Sequence, residues 1–226
     1  MKQSKRVSAN NAQVDSSRAY SLEEAIALAK TTANTKFVGS LEMHIRTNID
    51  AKKTDQAIRG SATLPHGTGK QKRIAAFVTD AKVAEAKDAG ATLVGGEELI
   101  KQIKETEKTD FDIAVAEPAL MPKLAQVAKI LGTRGLMPNP KTGTVSENIA
   151  SMIKEISGGR VTFKNDDSGI IHQIFGKTSF ELAQLLENAQ TFMSAVQAAK
   201  ASAFKGTYLA SITINSSMGP GIRVKI

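Results

Sequence analysis

The feature that most constrains the fold is an alternation of short apolar segments and helical patterns in the middle of the chain. The apolar segments cover residues 73–78, 92–94 and 111–116, and the helical patterns cover residues 81–89, 97–107 and 118–131. Strands that alternate with helices of this length typically form right-handed βαβ units on a parallel sheet. The sequence therefore predicts an α/β fold with a parallel sheet.

The alternation stops at Gly158-Gly159, which we interpret as a hinge, and both ends of the chain carry other patterns. Near the start, Ser21-Leu22-Glu23-Glu24 is a capping box, in which a hydroxyl and a carboxylate satisfy free N–H groups at the start of a helix. The segment Lys36–Ile45 has apolar residues at alternate positions, as a half-buried strand does. Beyond the glycine pair we expect a hairpin of Arg160–Lys164 with Gly169–Ile174 around a connection rich in turn formers.

The last part of the chain predicts one long helix and two strands. Thr178-Ser179-Phe180-Glu181 has the form of a second capping box, and an apolar stripe at helical spacing follows from Leu182 to Val196. The segments Tyr208–Ile214 and Ile222–Ile226 have the composition of strands. Both ends of the chain therefore mix helices and strands without the regular alternation of the middle.

Positive charge is concentrated in the two ends. The 226 residues include 30 Lys and Arg against 22 Asp and Glu, a formal charge of +8, yet residues 67–159 contribute only +1. The ends therefore carry +7, and if they share one domain, that domain is where a polyanion would bind. Aromatic residues make up only 4% and tryptophan is absent, so a sheet that stacks bases on several exposed rings is not expected.

Composition also limits metal, redox and membrane chemistry. The absence of cysteine excludes disulfides, thiolate catalysis and cysteine-ligated metals. The three histidines, His44, His66 and His172, are scattered along the chain and show no metal-ligand spacing. With a mean hydropathy of −0.18 and no long apolar run, we expect a cytosolic protein without a membrane partner.

Catalytic motifs are incomplete. Phe175-Gly176-Lys177-Thr178 resembles the end of a phosphate-binding P-loop, but Ile171 stands where that loop needs a glycine. Lys141-Thr142-Gly143 and Ser151–Lys154 occur in the reverse of the order found in penicillin-recognising serine enzymes. No Gly-x-Gly-x-x-Gly dinucleotide motif follows a predicted strand. We expect no enzymatic activity and no cofactor.

Several stretches rich in Gly, Pro and small polar residues resemble the L-one family of large-subunit ribosomal proteins, in its bacterial form. The resemblance covers nearly the whole chain, with the motifs in the same order. It rests on Lys36-Phe37, Asp55-Gln56, Leu64-Pro65-His66-Gly67-Thr68-Gly69-Lys70, Gly135-Leu136-Met137-Pro138-Asn139-Pro140-Lys141, Asn165-Asp166 with Gly169-Ile170-Ile171-His172, and Met218-Gly219.

The resemblance implies two domains and a place in the ribosome. Residues 1–66 and 160–226 would form a discontinuous α+β RNA-binding domain, and residues 67–159 an inserted parallel-sheet α/β (Rossmann-like) domain. The family implies a cytoplasmic constituent of the large subunit that binds large-subunit ribosomal RNA, forms the mobile stalk at the tRNA exit site and assists release of deacylated tRNA. Its bacterial members also repress translation of their own messenger RNA. We therefore expect these three RNAs as partners and a monomer when free.

The RNA-binding surface implied by the resemblance consists of Lys36, Phe37, Asn165, His172, Lys177, Ser216, Ser217, Met218 and Gly219. The lysines would meet phosphates, and the serines and the asparagine would hydrogen-bond sugar 2′-hydroxyls and base edges, the groups that mark RNA. The glycine would allow close approach of the backbone, while Phe37 and Met218 would supply apolar packing. Phe37 has an alternative place in the core, because it alternates with Leu41 and Met43.

Two other functions stay open. A stand-alone repressor that binds messenger RNA away from ribosomes is the alternative, and an enzyme that uses the neutral α/β segment is a third. Co-sedimentation with large subunits at high salt separates the first two, and the missing nucleotide motif argues against the third. The turn Ser216–Gly219 also has a purely structural alternative, as a hairpin connection.

Overall fold

The computed structural model describes residues 4–50, 56–200, 204 and 206–225, with the side chain of Lys141 outside the description. The α-helices are α1 (Lys5–Ala12), α2 (Leu22–Thr31), α3 (Val83–Asp88), α4 (Glu97–Thr106), α5 (Met121–Leu124), α6 (Ala128–Thr133), α7 (Ile149–Ser157) and α8 (Leu182–Ala198). The strands are β1 (Ser40–Thr47), β2 (Arg59–Thr63), β3 (Ile74–Phe77), β4 (Leu93–Gly95), β5 (Ile113–Ala116), β6 (Arg160–Lys164), β7 (Ile170–Lys177), β8 (Leu209–Ser216) and β9 (Ile222–Val224).

The described chain divides into two compact units. The first contains both ends, up to Gly69 and from Val161 onward, and the second runs from Lys70 to Arg160. Antiparallel strands and helices make up the first unit, and a parallel sheet with helices makes up the second. The predicted α/β class is therefore confirmed. The domain boundaries at residues 66–67 and 159–160 stay a prediction about which segments fold independently.

The first unit is built on a four-stranded antiparallel sheet in the order β7-β1-β8-β9. Alternate residues of β1, namely Leu41, Met43 and Ile45, are fully buried in the core that α2 and α8 share with the sheet. The predicted capping box of α2 is confirmed, because Ser21 Oγ accepts the N–H of Glu24 at 3.2 Å and the glutamate carboxylate accepts the N–H of Ser21 at 3.0 Å. The other face of the sheet carries mainly polar side chains, together with the exposed Ile174.

The predicted hairpin of Arg160–Lys164 with Gly169–Ile174 is wrong. Strand β6 pairs with β2 in a separate two-stranded sheet, while β7 pairs with β1. The connection diverts the chain because Asn165 Oδ1 accepts the N–H of Ile58 at 2.7 Å, which ties the end of β6 to the segment before β2. Of the predicted hairpin, the structure contains one isolated antiparallel bridge, between Asn165 and Ile171.

Helix α8 begins later than its sequence predicts. Its N-cap is Glu181, whose N–H donates to Gln184 Oε1 at 3.2 Å, so Thr178 does not cap it. The chain makes a turn first, in which the N–H of Phe180 donates to the carbonyl of Lys177 at 3.0 Å. The predicted apolar stripe is confirmed, since Leu185, Ala189, Phe192 and Val196 are all fully buried.

The second unit contains the predicted parallel sheet, in the order β4-β3-β5. Because successive side chains of a strand point to opposite faces, β3 contributes to two cores: Ala75 and Phe77 pack with α4 and α6, and Ile74 and Ala76 pack with α3 and α7. The predicted continuous helix over residues 118–131 is wrong. Short 3₁₀ and α segments replace it, and Pro122, which lacks an N–H, lies in the first turn of α5.

Candidate nucleic-acid interface

The predicted site is centred on one end of the β1–β8 pair. Leu41 and Ser216 are paired there, and Ser40 and Ser217 lie one residue further along. Ser217 Oγ accepts the N–H of Ser40 at 3.0 Å, and the N–H of Ser217 donates to the carbonyl of Ser40 at 2.9 Å. Lys177 Nζ donates to Ser40 Oγ at 2.7 Å. Three segments that are distant in sequence are therefore joined at this end of the sheet, which we call the turn end.

A tight turn at Ser216–Gly219 projects from the turn end. The N–H of Gly219 donates to the carbonyl of Ser216 at 2.8 Å, and Met218 has a left-handed backbone with a φ of 62°. Arg6 Nη1, from α1, donates to the carbonyl of Met218 at 3.1 Å. The Met218 residue is nevertheless 70% exposed. The fold thus fixes the backbone of this turn and leaves an apolar side chain in solvent.

A second apolar segment leaves the same end of the sheet. Phe37 and Val38 lie just before β1, separated from it by Gly39, and are 55% and 61% exposed. The core alternative for Phe37 is therefore wrong, because the buried alternation begins at Leu41 and Phe37 lies outside the strand. Since β1 and β8 are antiparallel, residues before β1 and residues after β8 lie at one end of the sheet.

The structure brings only part of the predicted set together. Lys36 is exposed four residues before Ser40, and Lys177 is half-buried against that serine. Asn165 lies toward the opposite end of β1, and its side chain is used internally, with Nδ2 donating to the carbonyl of Asp166 at 2.9 Å. His172 lies between the two ends, opposite His44.

Ser216 is fully buried, with no exposed surface for a ligand. Its hydroxyl has no hydrogen-bond partner among the described residues. A Cβ built on Gly219 would lie 2.3 Å from that oxygen. The burial of Ser216 corrects the expectation that its side chain contacts a ligand directly, and the residue supports the turn from beneath. Asn165 is partly exposed and bonds Ile58 and Asp166, and its contact with RNA stays a prediction.

One functional candidate was missed in the sequence. His44 Nδ1 lies 2.7 Å from His172 Nδ1, and His44 Nε2 lies 2.7 Å from Asn215 Oδ1. The interpretation of the histidines as scattered is therefore wrong for two of the three. Their positions in β1 and β7 both alternate with buried residues, which suggests an exposed face, but only the strand register shows that the rings are opposite.

The sheet face that carries His44 and His172 has side chains of both charges, and the acidic side chain with the most backbone hydrogen bonds there is Asp166. The backbone N–H groups of Ile170 and Ser168 donate to the Asp166 carboxylate at 2.7 and 2.9 Å. These bonds, chiefly the one from Ile170, lower the pKa of Asp166 below its ordinary value, with a smaller contribution from His172. The side chain is therefore a carboxylate at neutral pH and accepts hydrogen bonds only.

The second unit offers less for ligand binding. The Asn139 carbonyl accepts hydrogen bonds from Thr142 Oγ1 at 2.9 Å and from Thr144 Oγ1 at 3.2 Å, so the Gly- and Pro-rich loop is fixed by its own contacts. Among the described residues no group of three His, Asp or Glu side chains could hold a metal ion. Within the same ranges, no helix is long and apolar enough to cross a membrane.

The fold and the turn end together define a basic α/β protein whose two chain ends build one unit with an exposed apolar and cationic edge. Residues 28–220 match the family model described as "Ribosomal protein L1p/L10e family". The chain belongs to this family, and the resemblance found in its motifs is confirmed.

Curated relatives named "Large ribosomal subunit protein uL1" match almost end to end. The chain is 48% identical over 223 residues to the protein of Mesoplasma florum, covering 99% of this chain and 98% of the relative. It is 45% identical over 225 residues to the protein of Streptococcus gordonii, covering 100% and 98%. The protein of Chloroflexus aurantiacus is 47% identical over 225 residues, covering 99% and 95%.

Proposed function

We propose that this protein is a non-catalytic, cytoplasmic constituent of the large ribosomal subunit that binds large-subunit ribosomal RNA through the turn end of its first unit. The observation that carries the proposal is the turn itself. Met218 has a left-handed backbone, which is held by the bond from the N–H of Gly219 to the carbonyl of Ser216 and by the bond from Arg6 to the carbonyl of Met218. Its side chain is nevertheless exposed to solvent. A non-glycine residue in this conformation costs about 1–2 kcal/mol, and such strain commonly marks a functional position.

The chemistry of the turn end fits RNA. Exposed apolar side chains at Phe37 and Met218 provide contact surface for unstacked bases or ribose. Arg6 and Lys36 supply cations that attract phosphates, in the unit that carries most of the net charge. Ser217 Oγ accepts the N–H of Ser40 and donates to the carbonyl of Ser40 at 3.4 Å, so its second lone pair can accept a hydrogen bond from a 2′-hydroxyl.

The domain assignment remains part of the proposal. Residues 1–66, joined by a short linker to residues 160–226, should fold and keep most of the RNA affinity, because these segments carry +7 of the +8 charge. Residues 67–159 alone should bind weakly. Equal affinity of the middle segment and the full chain would overturn this assignment.

Further roles rest on the family alone. We infer from it that the protein forms the mobile stalk at the tRNA exit site, assists release of deacylated tRNA and represses its own messenger RNA, and that it is a monomer when free. Sequencing RNA crosslinked to the protein in cells, together with co-sedimentation at high salt, tests these partners. Recovery of messenger RNA without ribosomal RNA would favour the stand-alone repressor.

Salt dependence tests the charge component in vitro. Lys36→Ala should weaken binding to a ribosomal RNA fragment and reduce the slope of log affinity against log salt by about 0.7–0.9, one phosphate contact. Lys129→Ala, in α6 of the second unit, is the matched control and should leave the slope unchanged. An unchanged slope for Lys36→Ala would remove that residue from the interface.

A further inference from the structure

Helix α1 is attached to the first unit in an unusual way. A surface helix normally packs through an apolar stripe, but α1 is polar, with the sequence KRVSANNA. All eight residues of α1 are described, and among them Asn10 alone is buried, with 2% of its surface exposed. Val7 is half-buried. The position of α1 therefore depends on the polar contacts of Asn10.

The side-chain amide of Asn10 forms three hydrogen bonds. Nδ2 donates to the carbonyl of Thr32 at 2.8 Å and to Asn34 Oδ1 at 3.1 Å. Asn10 Oδ1 accepts a bond from Asn34 Nδ2 at 3.0 Å. Because a backbone carbonyl can only accept, the nitrogen of the Asn10 amide must face Thr32, which fixes the orientation of the group. Asn10 and Asn34 therefore form a reciprocal amide pair.

The bond to Thr32 joins two helices. Thr32 is the C-cap of α2, and the carbonyls at the end of a helix lack partners within that helix. The bond from Asn10 to this carbonyl is buried. If the amide were removed, the carbonyl would gain a water partner only after α1 moved away, because a buried polar group without a partner is costly. The amide therefore holds α1 against the end of α2.

The same face of α1 reaches the turn end. Arg6 and Asn10 are four residues apart, so their side chains lie on one side of the helix. Arg6 Nη1 donates to the carbonyl of Met218 at 3.1 Å. On the other side of the amide pair, Asn34 lies two residues before Lys36. One buried amide therefore joins the two segments that carry Arg6 and Lys36.

Resting on the proposed RNA-binding function, we infer that Asn10 is a positioning residue for RNA binding. Its amide pair with Asn34 holds α1 where Arg6 can donate to a phosphate beside the turn end. A guanidinium has five N–H donors, and the bond to Met218 uses one, so the same group can also bind a phosphate. Because α1 is in place before RNA arrives, Arg6 loses less conformational freedom on binding.

The rest of the first unit has its own attachments. Val14, just after α1, packs into the core, and the N–H of Asp15 donates to Tyr20 Oη at 3.0 Å. Ile26 of α2 is fully buried in the same core. An isolated helix as short as α1 is only marginally stable in water. Loss of the Asn10 amide should therefore release and unfold α1 while the remainder of the unit stays folded.

Hydrogen exchange of the full-length protein tests the attachment without RNA. Amide protons of α1 should exchange faster in Asn10→Ala, and also in Asn10→Leu, which keeps the volume of the side chain but not its donor. Those of α2 and α8 should stay protected. Asn11→Ala is the matched control, because Asn11 is an exposed asparagine of the same helix, and α1 should stay protected in it.

Two results of the exchange experiment would overturn the inference. Unchanged protection of α1 in Asn10→Leu would show that packing, rather than the amide, holds the helix. Loss of protection in α2 and α8 to the same extent as in α1 would show that Asn10 stabilises the whole unit and has no particular role for α1.

The salt dependence of RNA affinity tests the positioning role. Arg6→Ala should reduce the slope of log affinity against log salt by about 0.7–0.9 for a large-subunit ribosomal RNA fragment, one phosphate contact. Asn10→Ala removes no charge, yet it should reduce the slope by the same amount, because Arg6 loses its place. A purely structural role for Asn10 would leave the slope unchanged, as we expect for Asn11→Ala.

The double variant completes this test. Arg6→Ala combined with Asn10→Ala should bind RNA about as weakly as Arg6→Ala alone, since both changes remove one contact. An unchanged slope in either single variant, or additive losses of log affinity in the double variant, would overturn the positioning role. If the unaltered protein does not bind the RNA, the proposed function fails and the positioning role with it, while hydrogen exchange still decides whether Asn10 holds α1.

Discussion

Ser40 and Ser217 are joined by three hydrogen bonds although they lie 177 positions apart, and the two shorter ones cross between the strands. The N–H of Ser40 donates to Ser217 Oγ, and the N–H of Ser217 donates to the carbonyl of Ser40. The turn end therefore exists only when both ends of the chain are folded together. A ligand that binds at the turn end therefore contacts a surface to which both chain ends contribute.

Ser217→Ala should lower stability as well as RNA affinity. The substitution leaves the partly buried N–H of Ser40 without its acceptor, which should cost about 1–3 kcal/mol of unfolding free energy. Ser217→Thr is the control, because it keeps the hydroxyl. Denaturant unfolding and RNA titration of both variants measure the effects, and full stability in Ser217→Ala would show that this hydroxyl does not hold the strands.

Met218→Gly should separate stability from binding. Glycine adopts the left-handed conformation without strain, so the unfolding free energy should stay unchanged or rise by up to about 1 kcal/mol. RNA affinity should fall, because the exposed apolar side chain is lost. Met218→Asn, which tolerates the same backbone, should also lose affinity. If RNA affinity is kept in both variants, the side chain of Met218 makes no contact.

Ser216 and Gly219 should be energetically coupled. Gly219→Ala places a Cβ 2.3 Å from Ser216 Oγ and should destabilise the protein. Ser216→Ala removes a buried hydroxyl without a partner among the described residues, and should be neutral or stabilising. The double variant should be more stable than the two single effects predict, and strict additivity in denaturant unfolding would contradict the predicted contact.

How far the sequence predicts this structure depends on the range of the contacts involved. The cap at Ser21, the alternation from Leu41 and the parallel sheet follow from local patterns, and all are confirmed. The partner of β6 depends on Asn165 bonding Ile58, a contact between distant segments that no local pattern encodes.

The candidate site was predictable in its residue types and only partly in its geometry. The motif around Met218 predicts an unusual turn, but the burial of Ser216 depends on packing beneath it. The opposition of His44 and His172 requires the register of β1 with β7, and a shift of one residue would place one ring in the core. Strand register depends on the whole core, which is why sequence reasoning missed this pair.

Asp166→Asn should change the pH dependence of stability. Because folding lowers the pKa of Asp166, chiefly through the N–H of Ile170, its contribution is complete above the unfolded-state value of about 3.9 and is lost as pH falls through the folded value. The variant should be less stable than the unaltered protein at neutral pH, and the difference should shrink in acid. Asp167→Asn, at the exposed neighbouring position, is the control. A difference that does not depend on pH would contradict this linkage.

The most direct test of the account is to identify which peptides of the protein crosslink to ribosomal RNA in intact large subunits. After ultraviolet irradiation and nuclease digestion, mass spectrometry locates the attached nucleotides. We expect the main crosslinks in the peptides that contain Phe37 and Met218, with Met218→Gly weakening the second. Crosslinks confined to residues 70–160, with the turn end free of nucleotide, would contradict the claim that the turn end of the first unit binds the RNA.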